Sequence, residues 1–286
     1  MAVRISAIIP VRNGERSLPP LLESIGAQTL PAGDFETIVV DNGSTDRTAE
    51  VARAHGARVV TDEVANRSRA RNAGAAAARS DLFAFTDADC VAAPGWLEAL
   101  LHCADRAPLV AGPVEMTTDD APNAIERFEV RWRFGQEAWV RHGWAATANL
   151  LVHRHAFESI GGFDPGYHHI GEDADFCIRA GRAGHGIAYC PDARILHHAE
   201  SQWRPFLERA FRHGYSVNQC YHRLGVGNRA WRSPGAALRG DGAMTMLKYS
   251  RNDFDDGEWR ALLRVARAGY AARVAGSVWA ELRRAR

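Results

Sequence analysis

The chain of 286 residues is 46% hydrophobic and 24% charged, and its formal net charge is +1. This length allows one large hydrophobic core or one core with an appendage, and the composition excludes a mainly disordered chain. A net charge so close to zero argues against general nucleic-acid binding, because proteins of that kind carry an excess of basic residues.

Five cysteines are scattered along the chain without a C-x-x-C pair, at Cys90, Cys103, Cys177, Cys190 and Cys220. An odd number without a framework favours buried thiols in a reducing compartment over disulfides or a zinc site. The N-terminus enters a predicted strand at once, which leaves no room for a signal peptide, and no stretch is apolar for long enough to span a bilayer. The sequence therefore predicts a cytoplasmic protein, which can still lie peripherally against the inner face of a membrane.

Apolar runs alternate with helical patterns through the first part of the chain. Strands are predicted at residues 5–11, 35–40, 58–61, 82–86 and 109–114, with helices at 18–25, 45–54, 68–79 and from Pro94 onward. This alternation predicts an α/β protein with a Rossmann-like, mostly parallel sheet that is flanked by helices. In such a sheet, ligands bind at the carboxyl ends of the strands.

The later part of the chain has a different pattern. Residues 119–147 are polar and aromatic, short strands follow at 150–153, 187–190 and 194–197, and the pattern is helical from Gln202. We therefore expect one domain over 1–200, with a change of character between a half over about 1–115 and a half over about 116–200. A helical C-terminal extension is expected over 201–286.

Polar residues follow the first two predicted strands. The turn at Arg12-Asn13-Gly14-Glu15 leaves free N–H groups that suit an anion or a nucleotide, although Asn13 and Gly14 are also ordinary turn residues. The G-x-G-x-x-G pattern of a dehydrogenase is absent. After the second strand, Asp41 can accept hydrogen bonds from a base or a ribose, whereas Ser44 or Thr45 can simply cap the next helix. Two arginines of the third helix, Arg69 and Arg71, can face the same cleft or, for one of them, the solvent.

The fourth predicted strand runs directly into Asp87-Ala88-Asp89. Carboxylates at the end of a buried strand are costly unless a positive charge lies between them. Because magnesium and manganese bind few carboxylates together with waters and phosphate oxygens, two acids are enough for such a site. The segment thus predicts Mn²⁺ or Mg²⁺ carrying a diphosphate, with two acids in a polar turn as the alternative.

A second acidic cluster opens a predicted helix at Glu172-Asp173-Ala174-Asp175. Acids in a first turn favour the helix dipole, but the flanking glycines indicate a site in which a carboxylate takes a proton from an acceptor hydroxyl. Farther along, His197 and His198 close a strand. A neutral imidazole can ligate manganese, although one of two neighbouring histidines on a strand must point to the other face.

In their joint order these segments resemble the family-2 glycosyltransferases of the GT-A fold. The resemblance covers about residues 4–215 and rests on the segments 9–15, 39–46, 69–74, 86–89, 149–151, 161–164, 171–175 and 191–197. It implies an inverting transfer of a sugar from a nucleoside-diphosphate sugar, with UDP favoured, to an acceptor hydroxyl of a glycan, a lipid-linked glycan or a small molecule. It also implies Mn²⁺ or Mg²⁺ as the cofactor, and a catalytic domain over 1–200 with a nucleotide-binding half over about 1–115 and an acceptor half over about 116–200.

The resemblance further implies roles for particular residues. The nucleotide-sugar contacts would be Pro10, Val11, Arg12, Glu15, Asp41, Ser44, Arg71, Asp87, Ala88 and Asp89. The metal ligands would be Asp89, Asp87 and His197. The catalytic base would be Asp173, with Glu172 as the neighbour that could be confused with it, and the acceptor contacts would be Trp144, Asn149 and Glu172. Two positions depart from the pattern: Arg12 stands where an aromatic residue is frequent, so a guanidinium can replace base stacking, and Asn42 stands in place of a second Asp, which we expect to be tolerated.

The C-terminal segment has apolar residues at helical spacing, at Trp259, Leu262, Leu263, Ala266, Tyr270, Val274, Val278 and Leu282, and arginines on the other face. A basic amphipathic helix can lie on an anionic membrane. We favour the alternative that the stripe packs on the catalytic domain or on a second copy in a homodimer. Residues 199–242 can form a lid over the donor or a loosely packed connector.

Two other functions compete with sugar transfer. A sugar-phosphate nucleotidyltransferase also uses a nucleotide and a metal, but it would have a Gly-rich, lysine-bearing loop after the first strand, and this chain has no lysine there. A catalytically silent relative would bind a nucleotide sugar or scaffold an assembly enzyme. The intact Asp89 and Asp173 argue against the silent relative.

Overall fold

The computed structural model describes residues 2–167, 170–224 and 253–284. These residues form two compact units. The first unit comprises residues 2–115, 135–167 and 172–198, and the second comprises 116–134, 170–171, 199–224 and 253–284. The predicted lid over 199–242 falls partly outside the described residues.

The strands are β1 (Ile5–Val11), β2 (Phe35–Asp41), β3 (Arg58–Thr61), β4 (Leu82–Phe85), β5 (Cys90–Ala92), β6 (Leu109–Ala111), β7 (Val114–Thr117), β8 (Leu150–His153), β9 (Ile187–Tyr189) and β10 (Ile195–His198). The helices are α1 (Leu18–Gly26), α2 (Thr48–Ala54), α3 (Arg67–Ala77), α4 (Trp96–Cys103), α5 (Ala124–Trp132), α6 (Gln136–Arg141), α7 (Arg154–Ser159), α8 (Glu172–Arg182), α9 (Trp203–Arg223) and α10 (Asp256–Arg284).

The large sheet has the strand order β3-β2-β1-β4-β8-β6-β9. Four of its pairings are parallel, whereas β8 runs antiparallel to both of its neighbours. The predicted α/β class with a mostly parallel sheet is therefore confirmed. Because β1, β2 and β4 are parallel neighbours, their carboxyl ends meet at one edge, as expected for a ligand site.

Helix α3 lies very close to this sheet. A Cβ atom at Gly74 would approach Ile8 Cγ2 to 2.4 Å and Val40 Cγ2 to 3.1 Å, so a larger residue would push the helix outward. Asn66 caps the start of the helix, because its side chain accepts a hydrogen bond from the Arg69 N–H at 3.0 Å. This packing determines where the side chain of Arg71, on the same helix face as Gly74, meets the strand ends.

A smaller sheet with the order β5-β10-β7 was not predicted in full. Strand β5 has only three residues and follows Asp87-Ala88-Asp89 at once. It pairs antiparallel with β10, with Cys90 opposite His197.

The expectation of free thiols is wrong for two of the five cysteines. Cys103, at the end of α4, and Cys190, just after β9, form a disulfide with their Cα atoms 6.1 Å apart. They are separated by 87 residues, and no spacing rule along the sequence signals that α4 and β9 end side by side. The other three cysteines are buried, as expected, and take part in none of the disulfides of the described residues.

In the second unit, α10 packs along α9 and α5. Its apolar contacts form one cluster of Ile125, Phe128, Phe206, Leu262, Val265 and Ala266. Toward the C-terminus the contact is made by small residues: Gly276 and Ala280 are buried, and a Cβ at Gly276 would lie 2.0 Å from the Phe211 carbonyl oxygen.

The predicted stripe on α10 is therefore correct at Leu262 and Ala266 but rotated away from the contact near the C-terminus. Val278 and Leu282, both assigned to the packed face, are 52% and 57% exposed. None of the helices that the structure describes combines the length and the apolar character needed to cross a bilayer. Contact of this helix with a membrane surface or a second copy stays a prediction.

Candidate functional site

The loops after β1 and β2 are tied together by hydrogen bonds. The Asn13 N–H donates to Ser44 Oγ at 2.9 Å, and the Thr45 N–H donates to Asn13 Oδ1 at 2.8 Å. Asn13 has φ 55°, in the left-handed region that asparagine tolerates. Arg47 donates to the Glu15 carboxylate at 2.7 and 2.9 Å, and this bonding lowers the pKa of Glu15. Ser44 and Glu15 thus hold the two strand ends in register.

The predicted cap of α2 by Ser44 or Thr45 is wrong. Helix α2 begins at Thr48, and the carboxylate of Asp46 accepts hydrogen bonds from both the N–H and the hydroxyl of that residue. Asp41, largely buried at the end of β2, accepts the Ser44 N–H at 3.0 Å.

The other nucleotide-side residues lie at the same edge. Pro10 and Val11 end β1, with Val11 in register with Asp41 of β2, and the exposed Arg12 donates to the Gly43 carbonyl oxygen at 3.4 Å. Ala88 is half-buried in the turn after β4.

Arg71 is the buried centre of a charge cluster whose other members are buried or half-buried. Its side chain is 1% exposed and donates to Glu172 Oε1 at 2.8 Å and to Asp87 Oδ1 at 3.0 Å. Its guanidinium carbon lies 5.6 Å from the centre of the Phe163 ring. We call Arg71, Asp87, Glu172 and Asp173 the Arg71 cluster. By contrast, Arg69 is exposed and pairs with Asp62, so of the two arginines only Arg71 belongs to the site.

The electrostatics of this cluster separate its carboxylates. Burial alone would raise the pKa of Asp87, but the Arg71 guanidinium lowers it below the ordinary value. For Asp173, burial and the neighbouring Glu172 carboxylate raise the pKa to about 7. Glu172 is engaged by Arg71, and the raised pKa of Asp173 lies in the range that suits a general base.

A second group lies beside the first. Asp89 Oδ2 is 3.4 Å from His197 Nε2, and ligand atoms of Asp89, Cys90 and His197 all lie within 4.8 Å of one another. We call these three residues the Asp89 group. His197 is 6% exposed, whereas the Asp89 side chain is 59% exposed. Cys90 was missed in the sequence analysis because β5 was not predicted, although a cysteine directly after Asp87-Ala88-Asp89 was a visible signal.

Two of the expected acceptor contacts, Asn149 and Trp144, differ in burial. Asn149 is completely buried: its amide nitrogen donates to the carbonyl oxygens of Pro113 and Ala193, and its side-chain oxygen accepts the Trp96 indole N–H at 2.9 Å. The structure therefore gives Asn149 a packing role in place of the expected acceptor contact. Trp144 is half-buried and stacks on Trp139 with ring centres 4.3 Å apart.

Comparison with known proteins shows which family this chain resembles. The family model described as Glycosyl transferase family 2 matches residues 6–160. The chain is 32% identical over 229 residues to Glycosyltransferase AglE of Haloferax volcanii, which covers 76% of this chain and 74% of that protein. It is 31% identical over 226 residues to the Pre-mycofactocin glycosyltransferase of Mycobacterium tuberculosis, which covers 74% of this chain but 46% of that protein. The chain thus spans about half the length of the mycobacterial relative.

Solved structures are similar in fold. The mannosyltransferase PcManGT from Pyrobaculum calidifontis, in complex with GDP-Man and Mn²⁺, aligns with a TM-score of 0.66 at 18% identity, covering 98% of this chain and 87% of that one. Staphylococcus aureus TarS (residues 1–349) in complex with UDP aligns with a TM-score of 0.56 at 16% identity, covering 99% and 92%. The resemblance drawn from the motifs is confirmed, and sugar transfer takes precedence over nucleotidyl transfer. The chain belongs to glycosyltransferase family 2 and is a glycosyltransferase of the GT-A fold.

Proposed function

We propose that this enzyme transfers a sugar with inversion from a nucleoside-diphosphate sugar to an acceptor hydroxyl, with Asp173 as the general base. The observation that carries the proposal is the difference between two neighbouring carboxyl groups, Glu172 and Asp173, at the start of α8. Arg71 holds Glu172 at 2.8 Å, whereas the pKa of Asp173 is raised to about 7. A carboxylate with this pKa is half deprotonated at neutral pH and basic enough to take a hydroxyl proton.

The donor would lie at the strand ends of β1, β2 and β4. Arg12, in the loop after β1, presents an exposed guanidinium to a base, and Asp41 presents a carboxylate to a base or a ribose. Asp87, held by Arg71, would contact the ribose. Neighbours in complex with UDP and with GDP-Man support a nucleotide-sugar donor; we propose a UDP-sugar first and a GDP-sugar as the alternative.

The Asp89 group fits a divalent cation. The Nδ1 atom of His197 lies 2.8 Å from the His198 carbonyl oxygen, and because a carbonyl only accepts, Nδ1 carries the hydrogen. In the neutral ring the lone pair is then on Nε2, which faces the Asp89 carboxylate at 3.4 Å. Two acceptors this close repel unless a cation or a proton lies between them. Asp89 and His197 would hold Mn²⁺ or Mg²⁺, which when bound neutralises negative charge on the leaving diphosphate.

Asp173, Arg71 and Glu172 have different roles in the proposed reaction. Asp173 takes the proton from the acceptor oxygen as that oxygen attacks the sugar on the face opposite the nucleotide, which inverts the configuration. Arg71 pairs with Glu172 and Asp87, which leaves Asp173 as the carboxylate of the cluster to act as the base. Proton transfer of this kind contributes about 10²–10⁴-fold to the rate.

The test has two stages. A thermal-shift screen of UDP-, GDP- and TDP-sugars, each with and without MnCl₂, identifies the donor, because a ligand that binds the native state raises its stability. Release of the nucleoside diphosphate is then followed with a panel of glycan, lipid-linked and small-molecule acceptors. We expect Asp173→Asn to lower turnover by about 10²–10⁴-fold while leaving the donor-induced thermal shift unchanged.

The matched control is Asp105→Asn, which alters an exposed carboxylate and should keep full activity. Weak donor binding by the Asp173→Asn protein, or retained turnover, would contradict the assignment of the base. The absence of both thermal shift and turnover with every donor, in a well-folded protein, would favour a catalytically silent relative.

A further inference from the structure

We propose that Cys90 is a third protein ligand of the divalent cation, beside Asp89 and His197, and that it makes the site bind thiophilic cations such as Zn²⁺, Co²⁺ and Cd²⁺. The proposal rests on the proposed function for the presence of a cation at Asp89. It goes beyond that function by assigning the thiol and the class of metal.

The register of the smaller sheet brings the thiol to the imidazole. Cys90 of β5 is directly opposite His197 of β10 in the antiparallel pair, and Val91 is opposite Leu196. Directly opposed residues of antiparallel strands point to the same face, with Cβ atoms about 4.5–5.5 Å apart. The side chains of Cys90 and His197 therefore share one face, and Asp89 precedes Cys90 in the chain.

The distances suit a common ion. The sulfur of Cys90, a ring nitrogen of His197 and a carboxylate oxygen of Asp89 lie within 4.8 Å of one another. Bonds from zinc to sulfur, nitrogen and oxygen are about 2.3, 2.0–2.1 and 2.0–2.2 Å long, which separates ligand atoms by roughly 3–4 Å around a tetrahedral ion. Small side-chain rotations are enough to reach this spacing.

Burial gives the group an inner and an outer side. Cys90 is 1% exposed and His197 is 6% exposed, whereas the Asp89 side chain is 59% exposed. An ion held here would meet two buried ligands and one ligand at the surface, which leaves its outer side for a phosphate oxygen. Three protein ligands and one open position form the arrangement typical of catalytic zinc sites.

Ligand chemistry then determines which metals bind well. Two carboxylates and phosphate oxygens favour Mg²⁺ and Mn²⁺, whereas a thiolate and an imidazole favour Zn²⁺, Co²⁺ and Cd²⁺. Binding through sulfur requires the thiolate, so the Cys90 proton is released to water when the metal binds. A cysteine at this position thus extends the range of metals beyond those of an oxygen-only site.

The experiment uses metal salts alone, without a donor. CoCl₂ is titrated into the full-length protein while the near-ultraviolet charge-transfer band of a Co²⁺–thiolate bond is recorded, and CdCl₂ and MnCl₂ affinities are measured by calorimetry. We expect the band to saturate at one equivalent and to disappear in Cys90→Ser. Loss of a residue that merely orients a ligand costs about 10–100-fold in metal affinity, so Cys90→Ser should weaken Cd²⁺ by at least that factor and Mn²⁺ by only a few-fold.

The matched control is Cys177→Ser, another free buried cysteine, which should keep the band and the Cd²⁺ affinity. If Cys90→Ser does not fold, the decisive variant is Asp89→Asn, which keeps the thiol and should retain the band at weaker affinity. A wild-type protein without a thiolate band, or a band that survives in Cys90→Ser, would overturn the proposal. Neither result affects the proposed function, which is judged separately by the donor-induced thermal shift with MnCl₂.

Discussion

The two carboxylates of Asp87-Ala88-Asp89 are neighbours in the chain but lie in opposite electrostatic settings. Asp87 belongs to the Arg71 cluster, where a buried guanidinium lies 3.0 Å from its carboxylate. Asp89 belongs to the Asp89 group, where its partners are the imidazole of His197 and the thiol of Cys90. The first cluster contains its own permanent cation, whereas the second consists of a carboxylate, an imidazole and a thiol, which are groups that can ligate a metal.

The two carboxylates of a D-x-D segment can therefore differ in their charged partners, and they need not be equivalent when a metal binds. The carboxylate beside Arg71 is neutralised by the protein and couples the strand end to Glu172, next to the proposed base. The carboxylate beside His197 is largely exposed and can receive a charge from outside. The two regions should therefore respond differently to substitution, to pH and to metal.

The largest effect is expected from Arg71→Met, which removes the cation of the first cluster. Removing one partner of a buried ion pair typically costs about 3–5 kcal/mol, because the other charges stay buried without compensation. Arg71 is 1% exposed and Glu172 is 6% exposed. Urea unfolding at pH 7 should therefore show that the variant has lost free energy of unfolding in this range.

The control for this prediction is Arg69→Met on the same helix. Its ion pair with Asp62 is at the surface, with 46% of the arginine side chain exposed, and such pairs contribute about 0–1 kcal/mol. Adding Glu172→Gln to Arg71→Met should restore part of the loss. Equal losses for the two arginine variants would mean that the Arg71 cluster does not carry the stability assigned to it.

The next effect is a pH dependence that originates at Asp173, whose pKa is about 7. Because the base must be deprotonated, kcat/KM should fall about tenfold for each pH unit below 7 and level off above it. A profile that stays flat down to pH 5 would exclude Asp173 as the titrating base.

The free energy of unfolding should fall as the pH rises, whereas kcat/KM should increase. The pKa of Asp173 is higher in the folded state than the ordinary value of about 3.9, so the folded protein binds more protons between roughly pH 4 and 7 and loses stability as the pH rises through that window. Asp173→Asn cannot lose a proton. In urea unfolding the variant should therefore exceed the wild type by a smaller margin at pH 5 than at pH 8; an equal difference at both pH values would contradict the raised pKa.

Local sequence patterns predicted where the strands end, but not which residues far apart in the chain pair near those ends. The apolar runs and the polar residues after them were enough to place Asp41 and Asp87 at one edge of a mostly parallel sheet. The pairing of Arg71 with Glu172, 101 residues later in the chain, depends on how α3 and α8 pack and has no local signal. The same holds for the disulfide between Cys103 and Cys190.

Helix α10 shows a different source of error. The hydrophobic pattern gives most weight to large side chains and therefore assigned Val278 and Leu282 to the packed face. In the structure, Gly276 and Ala280 make the contact, since small residues allow α9 to approach within van der Waals distance of the backbone. Where packing depends on the absence of a side chain, hydrophobic periodicity does not identify the residues that make the contact.

The smallest change in intrinsic stability is expected from Asp89→Asn. Its side chain is 59% exposed, and substitutions at such surface positions usually stay within about 0.5 kcal/mol. The effect should instead appear with metal: MnCl₂ at 100 times its dissociation constant adds about 2.7 kcal/mol to a protein that binds it only when folded, and Asp89→Asn should lose most of this gain.

Asp87→Asn should give the reverse result in the same urea titrations. Without metal it removes a charged partner of the buried Arg71 and lowers stability, yet it should keep most of the stabilisation by MnCl₂, because Asp89 and His197 are unchanged. If both variants lost the manganese effect equally, the two carboxylates would share the cation and the division between the Arg71 cluster and the Asp89 group would be wrong. If only Asp89→Asn loses it, the electrostatic setting of each carboxylate, and not its place in the motif, determines which one binds the metal.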